Sequence, residues 1–108
     1  MREVAAIMRV AWEPWMQDWP IEVSDWTRIE EFLGCCEREG RPELSPAMVE
    51  VLLVSLDEAF RLERPAAEIL TRAAEFLRKT PGLLEYWRCH NAESAEEMFA
   101  ITPWLRSL

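Results

Sequence analysis

Glycine, lysine and long apolar runs are scarce in this sequence of 108 residues, and each shortage excludes a class of structure or function. The three glycines form none of the glycine-rich loops that bind phosphate groups. No stretch approaches the roughly 20 consecutive apolar residues of a membrane-spanning helix. Lys79 is the only lysine, and the net charge of −8 repels nucleic acid and anionic membranes while it attracts basic surfaces. We therefore expect no direct contact with nucleic acid or with a membrane.

The three cysteines and the single histidine match neither a disulfide framework nor a zinc site. An odd number of cysteines does not form a closed set of disulfides. Cys35 is adjacent to Cys36, and Cys89 to His90, whereas paired ligands in structural zinc sites usually lie about two to four residues apart. The sequence thus predicts no metal and no cofactor. Arg9 interrupts the only apolar run near the N-terminus, so no secretory signal is visible and a cytoplasmic location is expected.

The acidic side chains show no pattern typical of a catalytic site. Adjacent carboxylates occur at Glu30-Glu31, Asp57-Glu58 and Glu96-Glu97, but such pairs on amphipathic helices usually form solvated faces. A nucleophilic cysteine activated by His90 has no supporting sequence signature. The sequence therefore predicts no catalytic residue and a protein that is not an enzyme.

Hydrophobic residues recur at helical spacing along nearly the whole chain, while signals for β-hairpins are absent. The first helix should run from Val4 to about Trp12, and Pro14–Trp19 should form a short turn. Ser24 is the expected N-cap of a second long helix that stops before Gly40.

Three hydroxyl-proline pairs, Ser45-Pro46, Thr80-Pro81 and Thr102-Pro103, should open helices, with the hydroxyl as cap and the proline in the first turn. The longest helix should span about 46–62 and be buried on more than one face, and another should open at Pro65. Ser94 and Glu97 match a capping box. The prediction is an all-α fold, a compact irregular bundle of five to six helices, in one domain over residues 1–108.

Tryptophan is the residue in greatest excess. Four of the six tryptophans lie between positions 12 and 26, and no basic residue occurs between Arg9 and Arg28. Trp12 and Trp26 fit helical stripes, whereas prolines isolate Trp15 and Trp19, which we therefore expect to be partly exposed. The predicted partner-binding residues alternate large rings with carboxylates: Glu13, Trp15, Asp18, Trp19, Glu22 and Asp25.

Aromatic anchors beside carboxylates suit a surface that docks a basic protein, since the rings supply binding energy and the acids steer the approach. One hypothesis is an acidic inhibitor, of the immunity, antitoxin or phage anti-defence (anti-CRISPR-like) type. It would mimic nucleic acid and cover a basic surface of a nuclease, a nucleic-acid-binding protein or a defence complex. The alternative is a small helical structural subunit of a larger assembly, with a homodimer as a variant.

Overall fold

The computed structural model describes residues 2–108, and within them every regular element is helical and no strand occurs. The predicted all-α class is therefore confirmed. Single 3-10 turns occupy Trp26–Arg28, Pro81–Leu83 and Ala95–Glu97. Seven α-helices are present in the described part rather than five or six, because several connections contain helices of one turn. They are α1 Arg2–Met8, α2 Trp19–Glu22, α3 Ile29–Arg38, α4 Ser45–Arg61, α5 Ala67–Leu77, α6 Glu85–Arg88 and α7 Thr102–Arg106.

The chain divides into two units, Met1–Ser55 and Leu56–Leu108, and helix α4 crosses the division. The single domain over residues 1–108 stays a prediction. None of the helices in the described chain is both long and apolar enough to cross a membrane.

In the first unit, α1 contacts α3. Helix α1 buries Val4, Ala5 and Met8, and α3 buries an apolar face that includes Phe32 and Leu33. Burial of a large apolar side chain stabilises the folded state by roughly 1.5–3 kcal/mol, so Met8, Phe32 and Leu33 each contribute substantially to the stability of this unit.

Helix α1 ends earlier than the sequence predicted, at Met8 instead of near Trp12. Arg9 adopts a left-handed conformation with φ of 56°, and the Val10 amide donates to the Ala5 carbonyl at 3.0 Å. This arrangement terminates a helix and usually uses glycine at the left-handed position. Trp12 therefore lies outside the helix, half-buried, with the Arg2 guanidinium 4.7 Å from the centre of its ring.

The start of the second long helical segment is capped by Asp25, not by Ser24 as predicted. The Asp25 carboxylate accepts a hydrogen bond of 2.9 Å from the Thr27 amide, while the Ser24 hydroxyl donates back to the Ile21 carbonyl at 2.9 Å. Aspartate satisfies a free amide of the first turn as well as serine does, so a shift of one residue has little energetic cost. Helix α3 ends at Arg38, before Gly40 as expected.

Helix α4 agrees closely with the sequence prediction. It runs from Ser45 to Arg61, and every residue from Val51 to Asp57 is buried. A continuous buried run of this length covers almost two turns, which places buried positions on every side of the helix. The wide apolar set of this segment therefore correctly predicted burial on more than one face.

In the second unit, Thr102 joins α6 to α7 instead of capping its own helix. Its hydroxyl donates to the Trp87 carbonyl at 2.7 Å and accepts from the Phe99 amide at 3.1 Å. Pro103 lies in the first turn of α7, as predicted. The prediction that the Thr102 hydroxyl caps this helix was wrong. Thr80 likewise precedes Pro81 without a capping bond from its side chain.

Two other predicted helix starts differ from the prediction, the first in its capping bonds and the second in its position. The Ser94 side chain makes no capping bond, and Glu97 accepts from the amide of Glu93, one residue before the expected position. Only a 3-10 turn follows, which is too short to need a full capping box. Helix α5 begins at Ala67, two residues after Pro65.

Candidate partner-binding surface

An open groove of about 340 Å³ lies on the first unit within the segment that the sequence singled out. We call it the Trp15 groove, and its lining residues are Trp15, Gln17, Asp18, Ile21 and Glu22. Three of the six predicted partner-binding residues are therefore brought together here: Trp15, Asp18 and Glu22.

Two local features position the groove residues. Pro14 and Trp15 form a turn in which the Met16 amide donates to the Glu13 carbonyl at 3.0 Å. The one-turn helix α2 follows, and the Asp18 carbonyl accepts from the amides of Ile21 and Glu22, each at 3.0 Å. Asp18 directly precedes this turn and Glu22 ends it, and both residues line the groove.

The groove is apolar at two points that face solvent. Trp15 is 73% exposed and Ile21 is 63% exposed, and both fractions are high for large apolar side chains. The expected exposure of Trp15 is confirmed. Isolated exposed apolar residues are common on protein surfaces, but two that line one groove beside carboxylates are a candidate contact site.

The carboxylates of the Trp15 groove are not used for internal structure. Among residues 2–108, neither Asp18 nor Glu22 takes part in an ion pair. Asp18 occupies the N-cap position of α2, yet its side chain makes no capping bond. Both acids therefore remain available to a group outside the described chain.

Trp19 does not belong to this exposed surface, and the expectation that it would be partly exposed was wrong. Only 3% of its surface is exposed, and its indole Nε1 donates to the Ala11 carbonyl at 2.7 Å. The neighbouring Pro20 isolates the residue in sequence but fits the first turn of α2, which directs the tryptophan inward. Trp19 thus anchors the segment that carries Trp15.

The remaining predicted residues lie outside the groove lining. Glu13 is exposed at the start of the turn that holds Trp15. Asp25 is half-buried, and its carboxylate is occupied as the cap described above. Ile21 was missed at the sequence level, because a single isoleucine between Pro20 and Glu22 carries no signal of exposure until the helical turn is placed.

A second and larger cleft, of about 470 Å³, lies on the second unit. Tyr86, Cys89, His90 and Glu85 are among its lining residues. His90 Nε2 lies 3.2 Å from a carboxylate oxygen of Glu85, but the Cys89 sulfur lies near the Thr102 hydroxyl, at 3.6 Å, and near main-chain carbonyls. The thiol thus has neighbours that belong to the packing of α6 against α7.

The other two cysteines are buried in α3. Burial, together with the negative charges that Cys35 and Glu37 can carry, raises the pKa of the Cys36 thiol to about 12. A thiol with such a pKa is protonated at neutral pH and a poor nucleophile. Within residues 2–108, no cluster of three or more histidine, cysteine or acidic side chains has the geometry to hold a metal ion.

Comparison with known proteins adds no relative to this description. No protein-family model matches the sequence, and no curated protein and no solved structure is significantly similar to the chain.

Proposed function

We propose that the chain is a non-enzymatic binding module that docks a basic protein through the Trp15 groove. The observation that carries the proposal is the 73% exposure of Trp15 beside Asp18 and Glu22, whose carboxylates take part in no ion pair in the described chain. This arrangement adds nothing to the stability of the folded chain. A partner with apolar and cationic groups, in contrast, gains favourable contacts with Trp15 and with the two carboxylates.

The physical basis is the usual division of labour in protein interfaces. Tryptophan is among the residues that contribute most to binding when a partner covers it, and charges at the rim raise the rate of encounter. Ile21 extends the apolar part of the groove, and Glu13 adds a further exposed carboxylate to the same segment. The net charge of −8 favours approach to a basic surface over the whole molecule.

An inhibitor of a protein that handles nucleic acid fits these properties best. Basic surfaces on nucleases and other nucleic-acid-binding proteins are built to receive phosphates, and carboxylates on a rigid scaffold can occupy the same positions. We therefore infer an immunity, antitoxin or anti-defence role. The module would act in a reducing cytoplasm, which agrees with the three free cysteines, and as a compact irregular helical bundle.

One observation favours the alternative of a small subunit in a larger assembly. Tyr86 on the second unit is 74% exposed and lines the cleft described above. A subunit that contacts neighbours needs more than one apolar surface, whereas an inhibitor with one target needs a single dominant one. Tyr86→Ala is therefore the matched control for Trp15→Ala.

The proposal is tested by capture of partners from a native lysate of the source organism with three immobilised proteins: wild type, Trp15→Ala and Tyr86→Ala. We expect a nuclease or another nucleic-acid-binding protein to be retained by wild type and by Tyr86→Ala but lost with Trp15→Ala. Retention that depends on Tyr86 and not on Trp15, or a partner that is an acidic component of a stoichiometric assembly, would contradict the inhibitor role and favour the subunit.

A further inference from the structure

We propose that the Trp15 groove takes an arginine side chain of its partner, in preference to a lysine or a purely apolar residue. This inference rests on the proposed function, because it names the group through which a basic protein would engage the groove. It follows from the chemistry of the lining residues and from the way this chain accommodates its own arginines.

The groove offers the two features that a guanidinium uses at once. Trp15 is 73% exposed, and indole is the side chain that binds cations over its face most strongly. Asp18 and Glu22 line the same groove and can accept hydrogen bonds from the edge of a planar cation. A guanidinium that stacks flat on a ring directs its N–H groups outward in its own plane, so it can contact the ring and the carboxylates at once.

A lysine or a purely apolar side chain would make fewer favourable contacts in the groove than an arginine. A lysine ammonium is a compact, strongly hydrated charge that pairs with one carboxylate but cannot stack as a plane. A purely apolar side chain would contact Trp15 and Ile21 and leave Asp18 and Glu22 partly desolvated without a cation. Loss of hydration without a compensating partner is unfavourable.

One arginine of the chain already occupies a site of this composition, and a second pairs with a carboxylate alone. The Arg28 guanidinium lies 4.8 Å from the centre of the Phe32 ring and also forms an ion pair with Glu31. Arg41 binds both carboxylate oxygens of Glu39, with N···O distances of 2.9 and 3.1 Å. The first site combines a ring with a carboxylate, as the Trp15 groove does, but it is filled from within the chain.

The test uses short peptides of equal length made of arginine, of lysine or of citrulline, which keeps the planar shape of arginine without its charge. Binding to the full chain is followed by NMR through the indole N–H signal of Trp15, which Trp15→Phe identifies. We expect the arginine peptide to bind about twofold to fivefold more tightly than the lysine peptide, because only the guanidinium adds planar stacking and a bidentate hydrogen bond to the cation–π contact that both cations can make. The citrulline peptide should bind more weakly than both.

Two double variants distinguish binding in the groove from a general attraction of basic peptides to an acidic protein. Asp18→Asn with Glu22→Gln should reduce the preference for arginine, because the carboxylate contacts are lost while the Trp15 ring stays. Glu43→Gln with Glu50→Gln, which neutralises two exposed acids of the first unit outside the groove, should keep the full preference. Equal affinity for arginine and lysine, or shifts that leave the Trp15 signal unmoved, would overturn the inference.

The outcomes also separate this inference from the proposed function. If partner capture depends on Trp15 while the peptides show no preference for arginine, only the arginine anchor fails. If capture is indifferent to Trp15, the docking surface itself fails, whatever the peptides show.

Discussion

The indole Nε1 of Trp19 donates a hydrogen bond of 2.7 Å to the carbonyl oxygen of Ala11, eight residues earlier in the chain. The bond closes the segment that contains Trp15, and the buried ring of Trp19 fixes one end of it. Two tryptophans four positions apart therefore have opposite roles. Trp19 holds the segment in place, and Trp15 is presented to solvent by it.

The two tryptophans should respond in opposite ways to truncation. Trp19→Ala removes a buried ring and its hydrogen bond, and we expect a loss of about 3–5 kcal/mol in the free energy of unfolding. Trp15→Ala removes an exposed ring and should change that free energy by less than about 0.5 kcal/mol. Chemical denaturation of both variants measures the difference. Equal destabilisation by the two substitutions would show that this assignment of roles is wrong.

Thr102 should be sensitive to the loss of its hydroxyl rather than of its methyl group. It is fully buried and bonds the Trp87 carbonyl and the Phe99 amide. Thr102→Val keeps the shape but leaves both main-chain groups without this partner, at an expected cost of about 1–3 kcal/mol. Thr102→Ser keeps the hydroxyl and should cost less than Thr102→Val in the same denaturation experiment; the reverse order would contradict the account.

Cys36 should make the fold sensitive to alkaline pH. Its pKa is raised from 9.0 to about 12 in the folded protein, so between these values the folded state binds more protons than the unfolded state. The contribution of this thiol is complete below pH 9 and is lost as the pH rises towards 12. Cys36→Ala removes the titrating group, and its stability should fall less steeply over the same range. Parallel profiles for the two proteins would refute the prediction.

The groove carboxylates should control the rate of association with the partner. We expect Asp18→Lys with Glu22→Lys to slow association, and the slowing to shrink as salt is added, because exposed charges steer encounter and are screened by ions. Glu43→Lys with Glu50→Lys changes the net charge equally at exposed positions outside the groove. The association rates of both double variants are measured at two salt concentrations. The same effect of both pairs of substitutions would contradict steering by the groove carboxylates.

The sequence predicted most of the helices because their apolar periodicity is strong. Helix α4, with its continuous buried centre, was placed within a residue or two. The ends of helices were less predictable where two residues could perform the same task. Arg9 terminates α1 in a conformation for which glycine is usual, and Asp25 replaces its neighbour Ser24 as the cap.

The sequence predicted only part of the candidate surface. Composition alone located the segment rich in tryptophan and acids, but it could not tell which ring turns inward. That distinction between Trp15 and Trp19 depends on the one-turn helix α2 and on a carbonyl contributed by Ala11. Neither is encoded in a periodic pattern, since a single turn has no period to read.

The most direct test of the central claim compares the affinity of a purified partner for Trp15→Ala and for Tyr86→Ala, two variants that each remove one ring of nearly equal exposure. We expect Trp15→Ala to weaken binding by about 2 kcal/mol or more, close to 30-fold in Kd, as is usual for an interfacial tryptophan. Tyr86→Ala should bind like wild type. Equal affinity of the Trp15→Ala variant and wild type, with both proteins folded, would contradict the claim that the Trp15 groove is the surface that acts.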